Sequence, residues 1–204
     1  MKILLVSNNL VVQDISYNYD TTIEEKRVNR PLSIEGENFM EMIAPKLKFN
    51  NIYASNYASA IGSAKYVSRK NNNELIIIDK DLEDSIIGDP KKNNIQMLRF
   101  MQERNFDFKY QNGESINDTK LRMKKCIDRI IRDNKDTIIF THKRSMLAYL
   151  LLYCEKGYNL DDRLILSYNN KVVLDDIDND IDMVEITLED MKIINVKRIE
   201  VSKL

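Results

Sequence analysis

Met1-Lys2-Ile3-Leu4-Leu5-Val6-Ser7-Asn8-Asn9 opens the chain, and the point where its apolar run stops decides how the rest is read. Ile3 to Val6 is continuously apolar, too short for a helix on its own and typical of a strand buried on both faces. It reads as the central strand of an α/β sheet. Ligands of open α/β sheets sit in the crevice beyond the carboxyl ends of the strands. Ser7, Asn8 and Asn9 therefore stand where chemistry is expected.

Outward from that strand, the chain of 204 residues favours one domain, 1–204, with a substantial core. With 43% hydrophobic and 31% charged residues it reads as a folded globular chain rather than a disordered one. No apolar run approaches the roughly 20 residues of a membrane span. The opening run is too short for the core of a secretory signal, so a cytoplasmic location is expected. The 31 basic and 32 acidic side chains leave a formal net charge of −1, which recruits neither nucleic acid nor an anionic membrane. Lys91-Lys92 and Lys124-Lys125 read as solvated faces. Cys126 and Cys154 lie in separate apolar stretches and read as reduced, buried thiols. With one histidine and no closely spaced cysteine pair, no metal site is expected, and no cofactor.

Leu10 to Pro31 is a long, polar connection containing Asp14, Tyr17, Asn18, Tyr19, Asp20 and Glu24-Glu25-Lys26-Arg27. It reads either as a functional loop or as a surface loop with some helix around Thr22 to Val28. Ser33 is a good N-cap for a helix running towards Leu47, shortened or kinked by Pro45, with Phe39, Met40, Ile43 and Leu47 on its buried side. A second strand over Asn51–Ser55 leads to a helix over Tyr57–Lys70 rich in small residues. Leu75–Ile78 reads as a third strand, followed by an acidic turn from Asp79 to Asp89 that Pro90 closes. Ile95–Met101 starts another helix. Ser115 with Asp118 forms a variant capping box for a helix to about Ile131, buried through Met123, Ile127 and Ile130. Thr137–Phe140 is a buried strand ending in Thr141-His142-Lys143, and Ser145–Tyr153 an apolar helix. Leu164–Leu174 and Met183–Val201 alternate as hairpin strands do, around an acidic turn at Asp175–Asp182, and carry no recognisable chemistry.

In their order and placement these segments resemble the histidine phosphatase superfamily, the phosphoglycerate mutase-like proteins, over roughly Met1 to Leu152. The family places Arg-His-Gly after its first strand, where Ser7-Asn8-Asn9 stand here. Pro31-Leu32-Ser33 with Gly36 is similar to its Pro-Leu-Thr/Ser-x-x-Gly step. The helix from Tyr57 resembles its Ser-x-x-x-Arg-Ala-x-x-Thr-Ala segment, whose phosphate-binding arginine falls on Ser59. Leu82-Glu83-Asp84 through Gly88 resembles Leu-x-Glu-x-x-x-Gly, with the proton-donating glutamate falling on Asp84. Gly113-Glu114-Ser115 matches its Gly-Glu-Ser, Arg122 an arginine on the following helix, and His142 its second active-site histidine. The resemblance implies a three-layer α/β/α sandwich with a mainly parallel sheet, and a lid formed by the Leu10–Pro31 loop.

The family reaction needs an imidazole nucleophile, a second imidazole, two arginines and an acid. This chain keeps His142 and a shortened acid, Asp84. One serine hydroxyl at Ser59 replaces neither the charge nor the fork of a guanidinium. The resemblance thus leads to a catalytically inactive pseudophosphatase whose Ser7, Asn8, Ser59 and Lys143 line a pocket for a small-molecule ligand, or which binds a protein partner. The alternative is an altered phosphatase working through His142, with Lys143 or Arg144 restoring positive charge. A purely structural or oligomer-forming role is a third. His142 as a structural histidine and Asp84 as part of an exposed acidic turn are the plain alternatives for those residues.

Overall fold

The structure, a computed structural model, describes residues 1–13, 22–89, 95–175 and 181–201. The opening stretch forms β1 (Lys2–Asn8), with Ile3, Leu4, Leu5 and Val6 all buried. Its neighbours are β4 (Thr137–Thr141) on one side and β8 (Ile181–Glu189) on the other. The sheet continues through β2 (Asn51–Ala54), β3 (Ile76–Ile78) and β9 (Lys192–Arg198), giving the order β3-β2-β4-β1-β8-β9. β3, β2, β4 and β1 run parallel, and β8 and β9 form an antiparallel flank.

Alternation along β1 divides the core in two, because successive side chains point to opposite faces. Ile3 and Leu5 pack with Met123, Ile127 and Ile130 of α5 (Ile116–Arg132) and with Met146 and Leu147 of α6 (Lys143–Leu150). Leu4 and Val6 pack with Met40 and Ile43 of α2 (Ile34–Ile43) and with Ala60, Ala64 and Val67 of α3 (Ala58–Lys70). Helices on both faces of a mostly parallel sheet make the three layers. Ser33 caps α2 by accepting the Gly36 N–H at 3.3 Å, and a 3-10 turn over Ala44–Lys46 ends it beside Pro45. Ser115 and Asp118 form the full capping box at the start of α5.

The stretch Leu164–Leu174 forms hairpin strands as expected: β6 (Leu164–Tyr168) and β7 (Lys171–Asp175) pair antiparallel and make, with β5 (Glu155–Tyr158), a separate three-stranded sheet. The third strand, β3, lies at the end of the main sheet's order, with Ile77 and Ile78 partly open to solvent. One expectation changes: the apolar helix starts at Lys143, with His142 as its N-cap, rather than at Ser145.

Of the Leu10–Pro31 connection, α1 (Ile23–Val28) is helical, capped by a reciprocal Thr22–Glu25 box. Asp14, Tyr17, Asn18, Tyr19 and Asp20, on which the lid expectation rests, lie outside the described residues. So do Pro90, Lys91 and Lys92, and the middle of the acidic turn between Asp175 and Asp182. Cys126 and Cys154 are free thiols. No helix among the described residues is long and apolar enough to cross a membrane.

Candidate functional site

At the carboxyl ends of β1, β2 and β4 a cavity of about 510 Å3 opens between the two helical layers. Asn8, His142, Asp84 and Ser59 all line it. Asn8 is the last residue of β1 and, like Leu4 and Val6, faces the α3 side. Its Nδ2 donates to Ser63 Oγ at 3.4 Å and its Oδ1 accepts the Leu10 N–H at 3.1 Å. Ser7 takes the opposite face, is 1% exposed and does not line the cavity. The strand's alternation removes it from the pocket in which it was expected.

His142 follows β4 directly. Its Nε2 lies 2.8 Å from Ser55 Oγ, and its ring packs against Tyr57 with centroids 4.2 Å apart. Burial lowers the imidazole pKa to about 4; Asp84 opposes the shift, while Arg27 and Arg122 add to it. The ring is therefore neutral at physiological pH. Burial also raises the phenol of Tyr57, with Arg27 acting in the other direction.

Asp84 is held from several sides. Arg122, paired with Glu114, donates to the carbonyl oxygens of Asp81 at 2.9 Å and Glu83 at 3.1 Å. Thr141 Oγ1 donates to Leu82 O at 2.7 Å and Ser145 Oγ to Glu83 O at 2.6 Å. Those bonds fix the turn whose end carries Asp84, so the Gly-Glu-Ser segment and Arg122 act here as its scaffold. Gly88, at φ 78°, stacks against Gly113, where a Cβ would come within 2.5 Å of the Gly113 backbone nitrogen. The Asp84 side chain is 17% exposed and ion-paired to Arg27, so it is not part of an exposed acidic turn. Burial disfavours its charge, but Arg27, then His142 and the Ser85 N–H, hold the carboxyl below its usual range.

The site residues that sequence reading missed include three arginines, Arg27, Arg30 and Arg99. They line the cavity with Tyr57, Val11 and Gln13, beside Asn9, Lys143 and Arg144, which the sequence had marked. Arg27 and Arg30 stand three residues apart at and just beyond the end of α1. That spacing, behind a legible Thr22 cap, is the signal that could have marked them. Arg99 on α4 (Ile95–Arg104) had no comparable signal.

Their charges are unequally matched. Arg27 pairs with Asp84 and with Glu24 at 2.8 Å. Lys143 lies 3.1 Å from Asp182 and 3.8 Å from Asp175, so its charge is balanced and does not recharge the pocket. Arg144 lies 3.7 Å from Glu103 and donates to Gln102. Arg30 and Arg99 make no salt bridge among the described residues, and the buried Nε of Arg30 has no hydrogen-bond partner there. Among the described residues no group of His, Cys, Asp and Glu is arranged to hold a metal ion.

The model of the histidine phosphatase superfamily, branch 1, matches residues 16–185. The chain belongs to this superfamily. No curated protein matches it by sequence. Among solved structures, mycobacterial glucosyl-3-phosphoglycerate phosphatase is similar with a TM-score of 0.63 and 12% identity, over 97% of this chain and 96% of that one. The alpha-ribazole phosphatase from Shigella flexneri is similar with a TM-score of 0.60 and 16% identity, over 95% and 93%. At such identities the likeness carries the fold alone. The superfamily match extends well past Leu152, into the hairpin β8–β9, and starts after β1. The equivalence of Ser7-Asn8-Asn9 with the superfamily's nucleophile motif therefore rests on their place at the end of β1.

Proposed function

We propose that this superfamily member binds a phosphate-bearing small molecule in the strand-end cavity without forming a phosphohistidine, as a pseudophosphatase. The observation that carries the reading is the pocket's charge inventory. Arg27, Lys143 and Arg144 each make a salt bridge with a carboxylate, whereas Arg30 and Arg99 make none among the described residues. A buried guanidinium nitrogen without a partner is costly, and the Nε of Arg30 has none among those residues. A phosphate dianion accepting from it would satisfy the donor and give both guanidinium groups an ion-pair partner. Two solved structures similar to this chain, the mycobacterial and Shigella flexneri proteins, are phosphatases, which supports phosphate as the ligand's anionic part. A cavity of about 510 Å3 has room for more than the phosphate.

Turnover is opposed by the same side chains. The chain's one histidine has Nε2 against Ser55 and cannot supply a second imidazole. The carboxyl that would protonate a leaving oxygen is kept ionised by Arg27. Calorimetry with inorganic phosphate tests the binding: Arg30→Ala should weaken it at least about tenfold, the loss of one charge-assisted contact. A panel of phosphate esters tests the chemistry. Wild-type turnover that disappears in His142→Ala would establish the altered phosphatase instead.

A further inference from the structure

We infer that the groove between the end of α5 and the β8–β9 turn is a docking site for an acidic segment of a partner protein that carries a large apolar side chain. The turn supplies the first observation. Glu189 pairs with Lys192, so Asp190 and Met191 alone connect the two strands, at φ 47° and 60°. A two-residue turn with both φ positive suits Asn, Asp and Gly, which enter the left-handed region at little cost. Among the described residues every other non-glycine in that region is Asn or Asp, including Asn169 and Asn170 in the matching turn between β6 and β7. Met191 is the exception, and at 64% exposure burial does not offset its strain. A strained apolar residue held at the surface points to a use for it there.

Met191 lines a groove of about 520 Å3 together with Ile193 of β9, Ile131 of α5 and Tyr153. Those three pack against the core, and the Tyr153 ring sits edge-on to the buried Tyr149 at 5.5 Å, so the floor is formed before anything binds. The rest of the wall is basic, with Lys124, Arg132 and Lys192 against the single acid Asp128. Asp128 is ion-paired to Lys124. Arg132 makes no salt bridge among the described residues, and neither does Lys192, although it stands opposite Glu189 in the strand register. The occupant therefore brings carboxylates for those two cations and an apolar side chain to cover Met191, Tyr153 and Ile193. Nucleic acid fits less well, since a chain of net charge −1 has no overall field that gathers it.

Titration of fluorescein-labelled peptides with the full chain tests this, using a Glu/Phe peptide and, at equal length, its Lys/Phe and Glu/Ser counterparts. Wild type should bind the Glu/Phe peptide saturably and at least about tenfold more tightly than either counterpart. Met191→Asn suits the turn, so it should raise the unfolding midpoint by about 2–4 °C while weakening the peptide at least about fivefold. Arg132→Glu, at an exposed position, should weaken it about tenfold without disturbing the fold. Absence of saturable binding by the Glu/Phe peptide overturns the inference. So does equal affinity for the Glu/Ser peptide, or an affinity indifferent to Met191→Asn. A single-stranded oligonucleotide that competes at matching affinity would overturn it as well, by assigning the groove to nucleic acid.

Discussion

The imidazole of His142 carries no charge above pH of about 4, because burial costs it more than Asp84 returns. An unfolded chain would protonate the same ring near its ordinary value of 6.5. Its folded pKa is depressed, so the unfolded state binds the extra proton between those values. Stability contributed by the neutral ring is therefore complete above about pH 6.5 and lost as pH falls to about 4, where the folded ring also takes up a proton. Denaturant titrations of wild type and His142→Gln should diverge over that window, with wild type losing on the order of 2 kcal/mol more. Parallel slopes would mean that the imidazole is more hydrated than its contacts with Ser55 and Tyr57 imply. His142 was legible in the sequence, as the only histidine at the end of an apolar strand. Its neutral state was not, because Ser55 and Tyr57 reach it from the end of β2 and Asp84 from a second, separate segment.

At the scale of elements, α1 is unusual in burying none of its residues. A six-residue helix is far below the length that sustains itself in water. Polar contacts hold it: Arg27 donates to Ser85 O at 3.0 Å and pairs with Asp84, while Glu24 accepts the Ile87 N–H at 2.6 Å. Arg27→Ala should free α1 while sparing the sheet. Hydrogen exchange of amides 23–28 should approach that of an unprotected chain, with global stability falling by only about 1–2 kcal/mol. Retained protection would show that Glu24 and the Thr22 cap suffice. Some helix around Thr22 to Val28 was readable, yet Arg27 stood there only as one residue of the charged run Glu24-Glu25-Lys26-Arg27. What separates it from Lys26 is the turn at Asp84, 57 residues away in sequence, which no local pattern reveals.

Across the whole molecule, segments with dense local patterning were the legible ones. β1 and β4 announced themselves as apolar runs, α5 by its cap and buried stripe, and the pocket by the strand ends it must occupy. The stretch Leu164–Val201 alternated plainly, but alternation does not say which sheet a strand joins. Its contribution to the site was hidden for that reason. Asp182, which is 1% exposed, enters from β8 and Asp175 from β7, and together with Arg198 of β9 they enclose Lys143 at the start of α6. This cluster ties the small sheet to the large one and spends the charge of Lys143 on the scaffold. Lys143→Met should then cost about 2–3 kcal/mol, by leaving a buried carboxylate less compensated, while changing phosphate affinity less than about threefold. Asp182→Asn should cost less in the Lys143→Met background than in wild type, with a coupling of about 1 kcal/mol or more. Loss of phosphate binding at unchanged stability would instead return Lys143 to the ligand, and would leave Asp182 to be balanced by Arg198 alone.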